Sequence, residues 1–168
     1  MDQAVVRRHT PITFNGPLEA GIRAVAILGF AHPRAFDLQR MIAFDYLLVH
    51  TADIGGPESL HPEAPLQSAE LLVRRKLVEQ ALLLMMTRHL VEREATEEGF
   101  RYRAGENAAP FLASLESDYL TALKERAAWL ADELGSSGDS EFQAIMRRFF
   151  DRWVEEFHAA ERSLGSDG

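Results

Sequence analysis

The sequence predicts a mainly α-helical protein that contains one β-hairpin. Long segments repeat apolar residues at helical spacing, which is typical of amphipathic helices. One of them, residues 69–89, leads directly into two short runs of charged and apolar residues on either side of the turn TEEG. A helix that leads into a hairpin is typical of the end of a winged-helix domain. We therefore expect a winged-helix-like domain with additional helices before and after it.

The residues ahead of this segment divide into an arm, two helices and a loop. Residues 1–16 are predicted to form an N-terminal arm, and Pro17 suits the first turn of a helix because it has no N–H to leave unpaired there. Asp37 is a plausible N-cap for a second helix. Asp45 lies on the apolar stripe of that helix and needs an arginine or amide partner. Residues 52–67 are rich in Gly and Pro and are predicted to be a loop.

Residues 69–89 contain neither Gly nor Pro, and two interpretations stay open. They form either one long helix or a helix-turn-helix with its turn near Arg75. Apolar residues cover most of the circumference of this segment, so we expect protein neighbours on all sides, some of them from another subunit. A helix that reads DNA must keep a polar face free for the groove, and this one is predicted to be too buried.

Arg74, Arg75 and Lys76 form the strongest local basic cluster and are one candidate nucleic-acid contact. Glu70 and Glu79 lie at helical neighbour spacing from them, which favours a solvated, ion-paired face.

The sequence predicts which residues of the two hairpin strands pair with each other. A loop over residues 96–99 places Gly99 at positive φ, where glycine has no Cβ penalty. This register pairs Ala95 with Phe100, Arg93 with Tyr102, Glu94 with Arg101 and Glu92 with Arg103. Arg101 and Arg103 resemble the arginines of a DNA-binding wing and are the second candidate contact. Their expected neighbours are carboxylates, so we predict a structural role for this wing.

Two helices are predicted after the hairpin. The first opens at Pro110 and runs to residue 134, which completes a domain over residues 17–134. The second spans residues 139–164 and packs either on that domain or on a partner. Its apolar stripe is the candidate partner-binding surface, with the core-packing interpretation left open. The residues of this stripe are Phe142, Met146, Phe149, Phe150, Trp153 and Phe157.

Catalytic motifs are absent from the sequence. There is no Gly-rich loop ending in Lys-Ser or Lys-Thr, no G-x-S-x-G and no G-x-G-x-x-G, so we expect no enzyme and no cofactor. A small metalloenzyme that uses His50, Asp53 and His61, with Glu58 nearby, is an alternative, but their spacing matches no zinc motif. The chain has no cysteine, which excludes disulfides and thiolate metal sites.

Charge and hydropathy further limit the function. The net charge is −8, from 26 acidic and 18 basic residues, and the only lysines are Lys76 and Lys124. Because phosphate binding needs concentrated Lys and Arg, this composition disfavours a chain that binds DNA by itself, although a winged-helix transcriptional regulator stays an alternative. No apolar stretch reaches about 18 residues and no signal peptide is evident, so we expect a cytoplasmic protein without membrane contact.

Several stretches, in this order, resemble a known family. They are FDYLLVH, SLHP, ELLVRR joined to LLLMM, and FRYRAGENAAPFLASLESDYLTALKERAAWL, within residues 18–134. Together they resemble the type 2 middle component of prokaryotic ABC-three-component conflict systems, a group that overlaps Lamassu-type antiviral defence. None of these stretches is a catalytic signature.

The resemblance implies a non-enzymatic, winged-helix-like adaptor. In such systems the middle component is encoded with an ABC ATPase of the SMC or Rad50 type and an effector, often a nuclease. ATP hydrolysis and DNA cutting then belong to these partners, and DNA is contacted only weakly or through the complex. Residues 140–164 lie beyond the stretches that carry the resemblance.

Overall fold

Five helices, a further helical segment near the C-terminus and three short strands make up the fold in the computed structural model, which describes residues 16–62, 68–147 and 162. The helices are α1 (Pro17–Ala31), α2 (Leu38–Val49), α3 (Ser68–Thr87), α4 (Ala108–Ala113) and α5 (Asp118–Leu134). The strands are β1 (Phe36–Asp37), β2 (Val91–Thr96) and β3 (Gly99–Ala104). A short 3-10 helix covers Thr51–Ile54, and residues 139–147, the C-terminal segment, are helical.

α1 lies at the centre of the helical layer. It begins at Pro17, as predicted, and packs against α2, α3, α4 and α5. Two glycines make this close packing possible. A Cβ at Gly21 would overlap Met85 of α3, and a Cβ at Gly29 would overlap Leu112 of α4.

α2 begins at the N-cap predicted from the sequence. The Asp37 side chain accepts a hydrogen bond from the backbone N–H of Arg40 at 2.8 Å. Almost every residue of α2 is buried, and it contributes several of the largest fully buried side chains. Those from α2 are Phe44, Met41, Ile42, Leu47 and Leu48.

α3 is one continuous helix, which decides between the two predicted arrangements. Within the described chain, protein covers one face of this helix, and the expectation that another subunit covers part of the rest stays a prediction. Val78 and Met85 are 2% exposed on the face toward α1, whereas Val73 is 68% and Leu83 is 52% exposed on the opposite face. The sequence shows that apolar residues occur on every side of the α3 axis. The core of this chain covers only one of these sides.

The sheet is antiparallel with the order β1-β3-β2. The predicted hairpin register is confirmed, and Gly99 has φ +116°. β1 was not predicted: Phe36 pairs with Tyr102, and Asp37 pairs with Arg101. The mainly helical class with a hairpin is confirmed, whereas assignment to the winged-helix fold stays a prediction.

The single helix predicted from Pro110 to residue 134 is wrong, because α4 and α5 are separate. Ser117 caps α5 by accepting the N–H of Leu120 at 3.2 Å. Lys124 donates to the carbonyl oxygens of Leu112 and Leu115 at 3.0 and 2.8 Å, which satisfies acceptors at the end of α4.

None of the helices in the described part of the chain is long and apolar enough to cross a membrane. The predicted arm lies outside the described residues except for Gly16. The boundaries 17–134 and 139–164 stay predictions.

Candidate functional site

Arg74, from the basic cluster on α3, points inward. Its Nη1 donates to Asp45 Oδ2 at 2.6 Å, while Arg23 Nε donates to Asp45 Oδ1 at 2.7 Å. The Arg74 side chain is 19% exposed, and its guanidinium lies 5.4 Å from the centre of the Tyr46 ring. Asp45, which was predicted to need a partner, therefore has two arginine partners. The three side chains together join α1, α2 and α3.

The two other members of the basic cluster face solvent. Arg75 Nε lies 3.3 Å from Glu79 Oε1, one helical turn away, so the expected ion-paired face is found at this pair. Lys76 is exposed. Only Lys76 and the partly exposed Arg75 of this cluster are thus accessible to a phosphate group.

The hairpin arginines face carboxylates, as expected, but Arg101 pairs with Glu98 and not with Glu94, the cross-strand neighbour predicted for it. Arg103 lies 3.0 Å from both Glu92 and Glu94. Arg101 lies 3.4 Å from Glu98, and it also reaches the C-terminal segment at Asp139, 3.7 Å away. These carboxylates offset the positive charge that a DNA-binding wing would present to phosphates.

The residues of the metalloenzyme alternative make contacts with tyrosines. Tyr46 donates its hydroxyl hydrogen to Asp53 at 3.2 Å, and its ring is tilted against the His50 ring with centroids 4.3 Å apart. His61 is hydrogen-bonded to the Tyr119 hydroxyl at 3.0 Å. Among residues 16–62, 68–147 and 162, no group of three or more His, Cys, Asp or Glu side chains could hold a metal ion.

Burial sets the titration of this histidine–tyrosine pair. It lowers the pKa of His61, with a further lowering from the positive charge of Arg23. Burial also raises the pKa of the Tyr119 phenol. Both shifts favour the neutral forms, which suits a hydrogen bond that ties the 50–62 loop to α5.

The first two residues of the predicted C-terminal docking stripe are buried in this chain. Phe142 is 5% and Met146 is 3% exposed. The Phe142 ring packs edge-on against Phe44 with centroids 5.4 Å apart, and the Arg40 guanidinium lies 4.5 Å from its centre. A partner therefore finds no surface at these two side chains. The remaining residues of the stripe lie outside the described part; they are Phe149, Phe150, Trp153 and Phe157.

A groove between α3 and the hairpin is a site that the sequence analysis missed. Its volume is about 470 Å³. Leu83 of α3 and Phe100 of β3 line it and are 52% and 50% exposed. The hairpin face that carries Phe100 also carries Tyr102 and Ala104, which are buried in the core. The apolar face of the hairpin thus continues past the core into solvent.

The acidic and basic residues along this groove differ in the groups of the chain that they contact. Glu79 faces Arg75, Glu98 faces Arg101, and Asp37 caps α2. By contrast, the exposed Arg93 has its guanidinium 4.2 Å from the centre of the Phe100 ring. The described acidic residues of the groove are therefore occupied within the chain, whereas Arg93 lies over an aromatic ring.

The sequence held a weak signal for this groove. The predicted register places Phe100, opposite Ala95, on the same face as Tyr102, but it does not show where the core ends. Leu83 lies in the segment whose whole circumference was expected to be covered by protein, and only the helix orientation reveals that it points outward.

A second cavity, of about 290 Å³, lies between α1 and the start of α5. Apolar atoms of Ile22, Leu120 and Leu123 form much of its wall, next to Arg23 and Tyr119. Of the polar residues in its wall, Arg23 is bonded to Asp45 and Tyr119 to His61.

Comparison with known proteins identifies the family. The family model for the ABC-three component (ABC-3C) system Middle Component 2 matches residues 13–156. No curated protein and no solved structure matches the chain. The family match extends over most of the 168 residues and agrees with the resemblance seen in the sequence. The chain therefore belongs to the Middle Component 2 family of ABC-three component systems.

Proposed function

We propose that this chain is a non-catalytic adaptor subunit that links an ABC ATPase of the SMC or Rad50 type to an effector, often a nuclease, in an anti-phage or anti-plasmid defence complex. The observation that carries the proposal is the family match over residues 13–156. A middle component works with the other components of its system. A protein-binding role is the simplest contribution for a chain whose sequence has no catalytic motif.

The chemistry of the described fold supports binding rather than catalysis. Asp45 and Arg23 are nearly fully buried and form an ion pair that joins α1 to α2. His61 and Asp53 are hydrogen-bonded to tyrosines. These ionisable groups hold elements of the scaffold together, and two of the exposed large apolar side chains, Leu83 and Phe100, lie elsewhere, at the groove. An exposed apolar groove is the kind of surface that a protein partner covers.

The same contacts support DNA contact through the complex rather than by this chain alone. Arg74, Arg101 and Arg103 each face a carboxylate of the chain, and the net charge is −8. Each arginine would have to break its contact with the carboxylate before it could neutralise a phosphate group. A basic surface on a partner could supply the charge that this chain lacks.

Assembly is the first test of the proposal. The full chain, carrying an affinity tag, is co-expressed with the ATPase and effector encoded beside it, purified, and run on size-exclusion chromatography. We expect one complex that contains all three chains and survives at micromolar concentration. Separate elution of the tagged chain from both partners would overturn the adaptor function.

The non-catalytic part of the proposal has its own test. Asp53→Asn and His61→Gln remove the most plausible acid–base groups of the described fold while keeping similar side-chain shapes. In an assembled complex we expect both variants to keep ATP hydrolysis and effector activity within about twofold of the wild type. A loss of effector activity on the order of a hundredfold, with the complex intact, would instead assign catalysis to this chain.

A further inference from the structure

We infer that the groove between α3 and the hairpin binds an acidic amphipathic segment of another component of the same system, one that places an apolar side chain between Leu83 and Phe100 and a carboxylate against Arg93. This inference rests on the adaptor function proposed above and specifies the chemistry of its partner.

The apolar part of the argument comes from the two walls of the groove. Leu83 projects from the outer face of α3, and Phe100 ends the apolar face of the hairpin. About half of each side chain is exposed, so a partner that fills the groove removes apolar surface on both walls from water. The walls belong to a continuous helix and a paired strand, which hold the groove open before binding. A helix laid in such a groove inserts one or two anchor side chains.

The charge part of the argument selects an acidic partner. Glu79 is paired with Arg75 and Glu98 with Arg101, and the nearby Arg40 guanidinium partly offsets the charge of Asp37, so these carboxylates attract a basic segment less than unpaired ones would. Arg93 is exposed and stacks on Phe100, next to the apolar contact. A carboxylate at this place gains a charge-assisted hydrogen bond while the ring shields one side of the guanidinium from water.

The α3 helix provides a matched control surface. Val73 is more exposed than Leu83, at 68% against 52%, yet it does not line the groove. Lys76 is an exposed cation on the same helix and is also absent from the groove wall. If any exposed apolar or positively charged side chain of α3 were enough to bind the partner, Val73 and Lys76 would contribute as much as the groove residues.

The experiment measures the affinity of full-length variants for the co-purified ATPase and effector. We expect Leu83→Asp, Phe100→Asp and Arg93→Glu each to weaken binding about tenfold or more. The controls Val73→Asp and Lys76→Glu are expected to stay within about threefold of the wild type. All five side chains are exposed, and far-UV circular dichroism of each variant checks that the fold is retained.

A photo-crosslinking residue, benzoylphenylalanine, at position 83 then identifies the segment. Mass spectrometry of the crosslinked complex is expected to find a peptide with an apolar residue next to Asp or Glu. Changing that acidic residue to Lys is expected to restore at least half of the affinity lost in Arg93→Glu. A basic crosslinked peptide, or no rescue by the charge exchange, would overturn the inference.

The remaining outcomes separate this inference from the adaptor function. If the wild-type complex forms and the groove variants bind as tightly as the wild type, the groove assignment is wrong and the adaptor function stands. If no wild-type complex forms, both fail. A further outcome is that the isolated chain binds a short DNA duplex in a salt-sensitive way and loses that binding in Arg93→Glu. That result would show that the groove binds nucleic acid and not an acidic protein segment. If the wild-type chain is a dimer and Leu83→Asp dissociates it, the groove binds a second copy of the chain and not an acidic segment of another component.

Discussion

Asp45 on α2 binds two arginines from two other helices. Its Oδ1 lies 2.7 Å from Arg23 Nε of α1, and its Oδ2 lies 2.6 Å from Arg74 Nη1 of α3. The side chains of Arg23 and Asp45 are 3% and 4% exposed, so water contributes little to their solvation. One carboxylate thus fixes the relative positions of three helices, and α3 is the helix that carries Leu83 to the groove.

Asp45→Ala should strongly destabilise the fold. It removes the carboxylate that is bonded to the buried Arg23 and to Arg74, and breaking a buried ion pair from one side costs about 3–5 kcal/mol of unfolding free energy. Urea denaturation followed by circular dichroism measures this loss. Glu79→Ala is the matched control because it breaks the exposed pair with Arg75, and we expect a change within about 0.5 kcal/mol.

Removing both buried charges should cost less than removing one. In the double variant Arg23→Met with Asp45→Leu, no buried charge of this pair is left without a partner, and Arg74, with 19% of its side chain exposed, can turn toward solvent. We expect the double variant to be more stable than Asp45→Ala. A double variant as unstable as Asp45→Ala would show that packing, rather than the desolvated charge, sets the cost.

Arg40→Met should loosen the C-terminal segment. The Arg40 guanidinium donates to the carbonyl oxygens of Leu134 and Ser137 at 2.8 and 2.6 Å and lies over the Phe142 ring. Losing these buried, charge-assisted bonds is expected to cost about 2–4 kcal/mol. Hydrogen exchange monitored by mass spectrometry should rise first in residues 135–147.

Arg103→Met is the control for this prediction. Arg103 also pairs with carboxylates, but its side chain is 45% exposed. We expect a loss below about 1 kcal/mol and unchanged exchange in residues 135–147. Equal effects from the two arginines would mean that Arg40 does not anchor the segment.

The features that the sequence predicted correctly are local ones. The Asp37 cap depends on a side chain and a backbone amide three residues away. The hairpin register depends on one turn, so the pairing of Glu92 with Arg103 could be worked out from residue order alone. The need of Asp45 for an arginine or amide partner also followed from its place on an apolar stripe, although the sequence did not identify Arg23 or Arg74.

The features that it missed depend on contacts far apart in the chain. β1 is two residues long and exists because Phe36 pairs with Tyr102, 66 positions later. The break between α4 and α5 is stabilised by Lys124, which reaches back to the end of α4. Likewise, the outward direction of Leu83 follows from how α3 packs on α1, and no helical period reveals which of several apolar faces meets the core.

Gly99→Ala should destabilise the hairpin. Gly99 has φ +116°, a conformation in which a Cβ is strained, and we expect a cost of about 1 kcal/mol. A thermal melt of the variant measures this loss. Gly138→Ala adds a Cβ that meets no atom within 4 Å, so its cost is limited to the poorer N-capping by alanine at the start of the C-terminal segment and involves no strained φ. A Gly99→Ala variant as stable as the wild type would contradict the strain argument.

His61 should make the stability fall as the solution becomes acidic. Burial lowers its pKa in the folded chain, and the positive charges of Arg23, His50 and Arg74 lower it further, against a smaller opposing effect of Asp45. The unfolded chain, with a histidine pKa near about 6.5, therefore takes up a proton first. The stability from the neutral imidazole is fully present above about pH 6.5 and is lost as the pH falls toward the folded-state pKa.

Urea unfolding between about pH 7.5 and pH 5.5 measures this dependence across the unfolded-state histidine pKa. The slope of unfolding free energy against pH should be positive for the wild type and shallower for His61→Gln, because glutamine does not titrate and can still hydrogen-bond to Tyr119. His32→Gln is the control, since His32 is exposed, and it should keep the wild-type slope. If His61→Gln keeps the full slope, a group other than His61 takes up the proton.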